Sequence, residues 1–141
     1  MRIATTFAAV SVATLVFSGQ AEASAPSPGT TKTANCSTTG ARGSVGVTSP
    51  TGDLWNYGTF KLAMSVSDTA ADGHHVQIRF LSKEVGNSRT VKWPWHSLTS
   101  GNGTTLTFST TAKDAYGITD TGVEVATFEG STLLNHCTAW T

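Results

Sequence analysis

Apolar residues alternate with polar or small residues over several stretches of the chain. They occupy every second position from 60 to 66 and again from 76 to 80. Shorter runs of the same period occur at positions 45–47, 91–95, 106–108 and 123–125. Alternation over four to eight residues is typical of strands with one buried face. The pattern therefore predicts a domain built from several short β-strands.

Turn-forming residues separate these runs. Clusters rich in Gly, Asn, Asp, Ser and Pro lie at positions 49–52, 71–73, 86–88 and 100–103, at roughly hairpin spacing. No segment carries a helical stripe, and the nearest candidate, residues 111–116, is short and is followed by Gly117. The expected fold class is all-β, an antiparallel, immunoglobulin-like two-sheet β-sandwich. A small β-barrel is the alternative, because the pattern does not distinguish the two forms of closure.

The start of the chain has the layout of a secretory signal. Arg2 precedes an apolar stretch at positions 3–17, and small residues follow at the spacing that signal peptidase recognises. Cleavage is possible after Ala23 or after Ala25, and we favour Ala23 because Pro26 would follow the second cut directly. The stretch is shorter than the roughly 20 apolar residues of a membrane anchor. We predict a signal peptide over residues 1–23 and a secreted, extracellular protein.

Composition limits the partners of the exported chain. Nine Lys and Arg balance nine Asp and Glu, and only 13% of the residues are charged. No basic patch predicts nucleic-acid binding, and no later segment is apolar enough to cross a membrane. Residues 24–35, rich in Pro, Ser, Thr and Gly, are expected to be a flexible leader with order beginning near Cys36. We expect one monomeric domain over residues 36–141.

The chain contains two cysteines, Cys36 and Cys137. In an oxidising compartment two cysteines allow one intramolecular pairing, and it would join the two ends of the domain. A closed loop of this length is worth about 4.7 kcal/mol in the chain-entropy model. The alternative, two free thiols, is disfavoured because exposed thiols oxidise outside the cell.

The segment 67–75 connects two of the clearest strand patterns and has two interpretations. Asp68 and Asp72 could be calcium ligands, but two carboxylates are too few for such a site. The favoured interpretation is a hairpin connection, with an Asx turn at Asp68 and positive φ angles near Gly73. His74 and His75 suggest zinc, but adjacent strand residues point to opposite faces. No metal site is predicted.

The run Asp68-Thr69-x-Ala71-Asp72-Gly73-His74-x-Val76 resembles a segment found in many small secreted proteins of actinobacteria. In that group a D-T-x-A-D-G-x-x-V motif leads into an alternating strand, within a domain of similar length. The near-terminal cysteines and the Thr-rich composition fit the same group. The resemblance implies an exported protein, and it carries no activity and no catalytic residue.

Aromatic residues are the second distinctive feature. Trp55 and Tyr57 lie close together, and Trp93 and Trp95 flank Pro94. Because Pro cannot donate to a strand ladder, Trp93 and Trp95 are expected on an edge strand or bulge. Exposed rings would suit the binding of sugars, and the architecture resembles that of bacterial cellulose-binding modules. The alternative is that at least two of the four tryptophans are core residues, Trp93 among them.

No motif indicates an enzyme or a cofactor. The sequence lacks a G-x-S-x-G elbow, an H-E-x-x-H helix and a phosphate-binding loop. We therefore expect a non-enzymatic binding protein, with polysaccharide or cell wall as the first class of ligand, through Trp55, Tyr57, Trp93 and Trp95. The alternative is inhibition of an extracellular protease or hydrolase through the loop at positions 83–89. A small secreted hydrolase comes third.

Overall fold

The computed structural model describes residues 29–50 and 57–141, which form nine β-strands and no helix. The strands are β1 Thr31–Thr38, β2 Ala41–Thr48, β3 Phe60–Asp68, β4 His75–Glu84, β5 Thr90–Lys92, β6 His96–Leu98, β7 Thr105–Ala112, β8 Ile118–Glu129 and β9 Thr132–Trp140. Residues 1–28 and 51–56 lie outside the described part, and with them the predicted signal peptide and residues 24–28 of the predicted leader.

The strands form two antiparallel sheets. The four-stranded sheet has the order β1-β2-β3-β7, and the five-stranded sheet has the order β5-β4-β8-β9, with β6 also paired to β4. β1 lies against β8 and β9, β2 against β8, and β3 against β4. The sheets are not closed into a barrel within the described residues. The predicted β-sandwich is therefore confirmed, and the alternative of a barrel is wrong.

The hydrophobic core lies between the two sheets. Every second residue of β3 from Phe60 to Val66 is buried, as are Val76, Ile78 and Phe80 of β4, so both strong alternations point inward as predicted. Gly43 of β2 also faces inward. A Cβ atom built there would lie 2.7 Å from Val125 Cγ2, so only glycine lets β2 approach the opposite sheet this closely.

Order begins earlier than the sequence indicates. The predicted leader ends at Asn35, but β1 starts at Thr31 and pairs with β2 in unbroken register. The alternation is weak in β1 because it is an edge strand, of which only Ala34 and Cys36 are buried. Backbone pairing with β2, which has strong inward-facing valines, orders a segment whose own side chains carry little signal.

The disulfide between Cys36 and Cys137 is present, as predicted. It spans a sequence separation of 101 residues and joins β1 to β9, the edge strands of the two sheets on one side of the sandwich. The Thr38 hydroxyl also donates to the Asn135 side-chain oxygen at 2.7 Å across the same two strands. This edge of the sandwich is therefore held by a covalent link and a hydrogen bond.

Candidate functional site

Trp93 points into the sandwich. Its ring packs against the core and lies 5.8 Å from the ring of Phe80, measured between centroids. Its indole Nε1 donates to the buried Ser82 hydroxyl at 3.0 Å. The expectation that Trp93 contributes to an exposed aromatic platform is therefore corrected in favour of the core alternative. The N–H of a Trp that packs against a core needs a partner, and the Ser82 hydroxyl supplies it.

Trp95 lies on the opposite side of the five-stranded sheet. The Arg79 guanidinium carbon is 4.1 Å from the Trp95 ring centroid, and the ring meets Phe128 edge-on at 5.6 Å. Strict alternation would place Trp95 on the same side as Trp93, and this expectation is wrong. Pro94 is the physical reason, because the edge strand ends at Lys92 and resumes at His96, as expected for a proline on an edge.

The other two predicted aromatics are not brought to this site. Tyr57 is exposed, and its ring lies beside Gly117, where β8 is about to begin. Trp55 lies outside the described residues. Trp93, Trp95 and Tyr57 thus occupy three different surroundings and do not form one platform. The outward surface around Trp95 is the better candidate site.

Three charged or titratable side chains meet next to Trp95. Arg79 Nε donates to Glu124 Oε2 at 2.7 Å, and His136 Nδ1 lies 2.8 Å from Glu124 Oε1. The residues belong to β4, β8 and β9, so the network crosses three neighbouring strands of the five-stranded sheet. Only 4% of the Glu124 side chain is exposed. Both carboxylate oxygens therefore have partners although the group is buried.

The network determines the ionisation of Glu124. Burial raises the pKa of this carboxyl, but hydrogen bonds from His136 and Arg79 and the charges of Arg79 and Lys92 outweigh it, and the pKa is lowered overall. Hydrogen bonds to the charged form of a carboxyl favour that form. Glu124 is therefore an anion at neutral pH that accepts hydrogen bonds and holds Arg79 in place under Trp95.

The surface continues beyond the network in both directions along the strands. Towards the start of β4, the His75 ring stacks on Phe128 at 5.7 Å. Towards the end of β9, the Trp140 ring covers Gly122, and the Lys83 ammonium lies 4.7 Å from the Trp140 ring centroid. The outward residues of this surface, here called the β4–β8–β9 face, are His75, Arg79, Lys83, Trp95, Glu124, Phe128, His136 and Trp140.

The segment between β3 and β4 is a turn, as the favoured interpretation predicts. Asp68 Oδ1 accepts from the Ala70 amide at 3.1 Å, and Gly73 has a φ of 76°. The amide of His74 donates to Asp72 and lowers the pKa of that carboxyl. Asp68 Oδ2 is buried, and within the described residues it has no hydrogen-bond partner.

The four histidines lie in separate surroundings. His74 contacts Asp72, His75 stacks on Phe128, the His96 ring contacts that of Phe108 at a tilt, and His136 contacts Glu124. No group of three or more His, Cys, Asp or Glu side chains in residues 29–50 and 57–141 is arranged to hold a metal ion. In the same residues, no helix has the length and hydropathy needed to cross a membrane.

The loop proposed for inhibition, within positions 83–89, is a short turn between β4 and β5. Gly86 and Ser88 have φ angles of 84° and 55°. The buried Glu84 carboxylate accepts from Asn87 Nδ2 at 2.8 Å and from Arg89 Nε at 2.9 Å. The Asn87 hydrogen bond, and then that of Arg89, lower the pKa of Glu84. The side chains of this loop therefore fold back onto their own carboxylate.

The sequence pattern did not predict Arg79, Glu124 or His136 as site residues. Arg79 and Glu124 do carry a local signal, since each is a charged residue between two apolar ones, which places it on the outward side of a strand. Nothing local indicates that they are partners, because they are 45 residues apart. The pairing follows from the register of β4 with β8.

Neither the known family models nor the curated proteins include a match to this chain. The resemblance to secreted proteins of actinobacteria therefore stays a prediction.

Proposed function

We propose that this is a secreted, non-enzymatic protein that binds a polysaccharide or cell-wall glycan through the β4–β8–β9 face. The observation that carries the proposal is the position of two tryptophans, Trp95 and Trp140, on the same outward face as the Arg79–Glu124–His136 network. Secretion rests on the predicted signal peptide, and the disulfide is compatible with an oxidising compartment.

The chemistry of the face suits a sugar chain. Indole rings pack against the C–H-rich faces of pyranose rings, and the His136 ring, which is 52% exposed, can exchange hydrogen bonds with hydroxyl groups. Trp140 is 38% exposed and Trp95 is half-buried, so both can be reached by a ligand. Because Arg79 and Glu124 neutralise one another, the network favours hydroxyl groups over a strongly charged ligand.

The spacing of the two indoles also suits an extended ligand. Trp140 covers Gly122, whereas Trp95 contacts Phe128 and Arg79, which pairs with Glu124. The rings are thus separated by two to six residues of β8, or ~7–20 Å at about 3.4 Å per residue. Such a span holds two or more linked sugar rings.

The test is retention of the protein on insoluble cellulose, chitin and peptidoglycan, combined with tryptophan fluorescence on soluble oligosaccharides. The expected result is retention on at least one polymer, weakened at least about tenfold, or ~1.4 kcal/mol, by Trp95→Ala and by Trp140→Ala. Tyr116→Ala is the matched control, because Tyr116 is a well-exposed aromatic outside the face. The proposal fails if no polymer retains the protein, or if both Trp variants bind like the unmodified protein.

Inhibition of an extracellular protease or hydrolase is the alternative proposal. It has less support, because the turn after β4 is short and its Arg89 side chain is held by Glu84. Stoichiometric inhibition of a secreted protease that is lost in Arg89→Ala would favour this alternative over glycan binding.

A further inference from the structure

The two long edges of the sandwich are built differently. At one edge β1 and β9 are joined by the Cys36–Cys137 disulfide and the hydrogen bond from Thr38 to Asn135. At the opposite edge β7 lies near β6, and in the described part of the chain no disulfide or ion pair connects the two strands. The rings of His96 in β6 and Phe108 in β7 are in contact across this second edge.

Among the described residues, β7 has a paired neighbour on one side only. Its eight residues pair with β3 on one side in continuous register. On its other side no strand of the described residues pairs with it. Proteins usually protect such an edge with a charged residue, a proline or a bulge. β7, with the sequence TLTFSTTA, contains no proline, no charged residue and no register shift.

A gap between the two sheets opens beside the same edge. The cavity has a volume of about 240 Å³, with Leu62, Met64 and Phe80 at its floor. Trp93, Pro94 and His96 line it on the side of the five-stranded sheet, and Thr110 and Thr111 of β7 line it on the other side. The gap is therefore mostly apolar inside and polar where β7 meets solvent. It has the size of one large apolar side chain.

We propose that β7 binds an extended peptide segment of a partner protein by strand addition, with one large apolar side chain of that segment filling this gap. Backbone hydrogen bonds to an edge strand give affinity, and pockets for alternate side chains give specificity. Residues paired across neighbouring strands project to the same side of a sheet. A residue placed opposite Thr110 therefore points between the sheets, towards Trp93 and His96.

Two lysines near the open edge indicate the charge of the partner segment. Lys61 pairs with Thr111, and Lys113 follows the end of β7. Both are exposed, and neither forms an ion pair with another described residue. An acidic residue near the apolar one would complement these two ammonium groups. The expected partner segment is thus an alternating strand with one aromatic or branched aliphatic residue and a neighbouring Asp or Glu.

The experiment is selection of displayed random nonapeptides on the immobilised protein, with the Thr110→Lys variant used for counter-selection. Thr110 is exposed, so a lysine there leaves the core intact and places a charge at the mouth of the gap. We expect enriched peptides with polar–apolar alternation and a single large apolar residue. Their affinity should fall at least tenfold for Thr110→Lys and stay unchanged for Thr33→Lys, a matched exposed position on the other edge strand, β1.

Synthetic versions of an enriched peptide make the test independent of how Thr110→Lys folds. Methylation of the peptide's alternate backbone amides should abolish binding, and hydrogen exchange should slow at amides of β7 on addition of the unmethylated peptide. The proposal is overturned if no peptide is enriched over the counter-selection, or if methylation has no effect. It is also overturned if protection appears in β9 and not in β7, or if sedimentation shows a dimer of this chain that Thr110→Lys dissociates.

Discussion

Arg79 and Glu124 face each other across β4 and β8, with Arg79 Nε 2.7 Å from Glu124 Oε2 and the carboxylate almost wholly buried. The pair lies beneath Trp95, whose ring rests on the Arg79 guanidinium. A buried carboxylate is costly unless it is paired, so the stability of this region and the position of Trp95 depend on the same contact. This dependence makes the network accessible to stability measurements as well as to binding measurements.

Stability should depend on the ionisation of Glu124. The pKa of Glu124 is lowered in the folded state, so its stabilising effect is complete above the ordinary pKa of 4.5 and is lost as the pH falls through the lower folded value. Glu124→Gln removes the charge and should reduce the free energy of unfolding at pH 7. The difference between the two proteins should then shrink below about pH 4.5. Urea unfolding at pH 7, 5, 4 and 3 measures this difference in the free energy of unfolding.

Glu129→Gln is the control for this titration. Glu129 is exposed and forms no ion pair with the described residues, so this variant and the unmodified protein should have parallel stability curves. A difference between Glu124→Gln and the unmodified protein that stays constant down to pH 3 would contradict the role of the network.

Close approach of the two sheets at Gly43 predicts a steric penalty. In Gly43→Ala the new Cβ would lie 2.7 Å from Val125 Cγ2 and 2.8 Å from the Ser65 carbonyl oxygen. We expect the free energy of unfolding to fall by about 1–3 kcal/mol, as in other overpacked cores. Thermal or urea unfolding measures the change.

Gly46→Ala is the matched control on the same strand. Its Cβ would meet nothing closer than 3.8 Å, at the Ala63 carbonyl oxygen, so the expected change is within about 0.5 kcal/mol. Equal losses of stability in the two variants would contradict the steric explanation. They would show that the different strand propensities of glycine and alanine, and not the approach of β2 to β8, control the effect.

The two tryptophans beside Pro94 should differ in their effect on stability. Trp93→Ala removes packing against Phe80 and leaves the buried Ser82 hydroxyl without its donor, and we expect a loss of about 3 kcal/mol. Trp95→Ala removes the contacts with Arg79 and Phe128 on the surface, at about 1 kcal/mol. Urea unfolding followed by circular dichroism compares them. A reversed order would contradict the assignment of Trp93 to the core.

The disulfide should contribute a large share of the stability. Replacing both Cys36 and Cys137 by alanine releases a closed loop with a sequence separation of 101 residues. The expected loss is about 2–5 kcal/mol. Thr38→Val, which removes the neighbouring hydrogen bond to Asn135, should cost only about 1 kcal/mol. Near-equal losses would show that β1 and β9 are held mainly by packing and not by the covalent link.

The accuracy of the sequence prediction differs from strand to strand. In β3 and β4 the alternation was sufficient, because each strand has one face in the core and the pattern repeats every second residue. In β1 it failed to find the first residues, because an edge strand is ordered by its neighbour more than by its own side chains. Pro94 correctly predicted an interrupted edge strand. No local pattern predicts that Trp95, after the interruption, lies on the opposite side of the sheet from Trp93.

The sequence alone was enough for the all-β class, for the turns between the clearest strands and for the pairing of Cys36 with Cys137. The class follows from the two-residue period of the apolar positions, and the turns follow from residue type. The pairing follows because two cysteines can form only one intramolecular disulfide. The tertiary structure decided that Trp93 lies inside and Trp95 outside, and that Arg79, Glu124 and His136 form one network. It also decided that β7 lies at an open edge of the part of the chain that the structure describes. These features depend on the register and packing of strands that are far apart in the chain. Such non-local contacts do not change the hydrophobic pattern of any single segment, so the pattern cannot predict them.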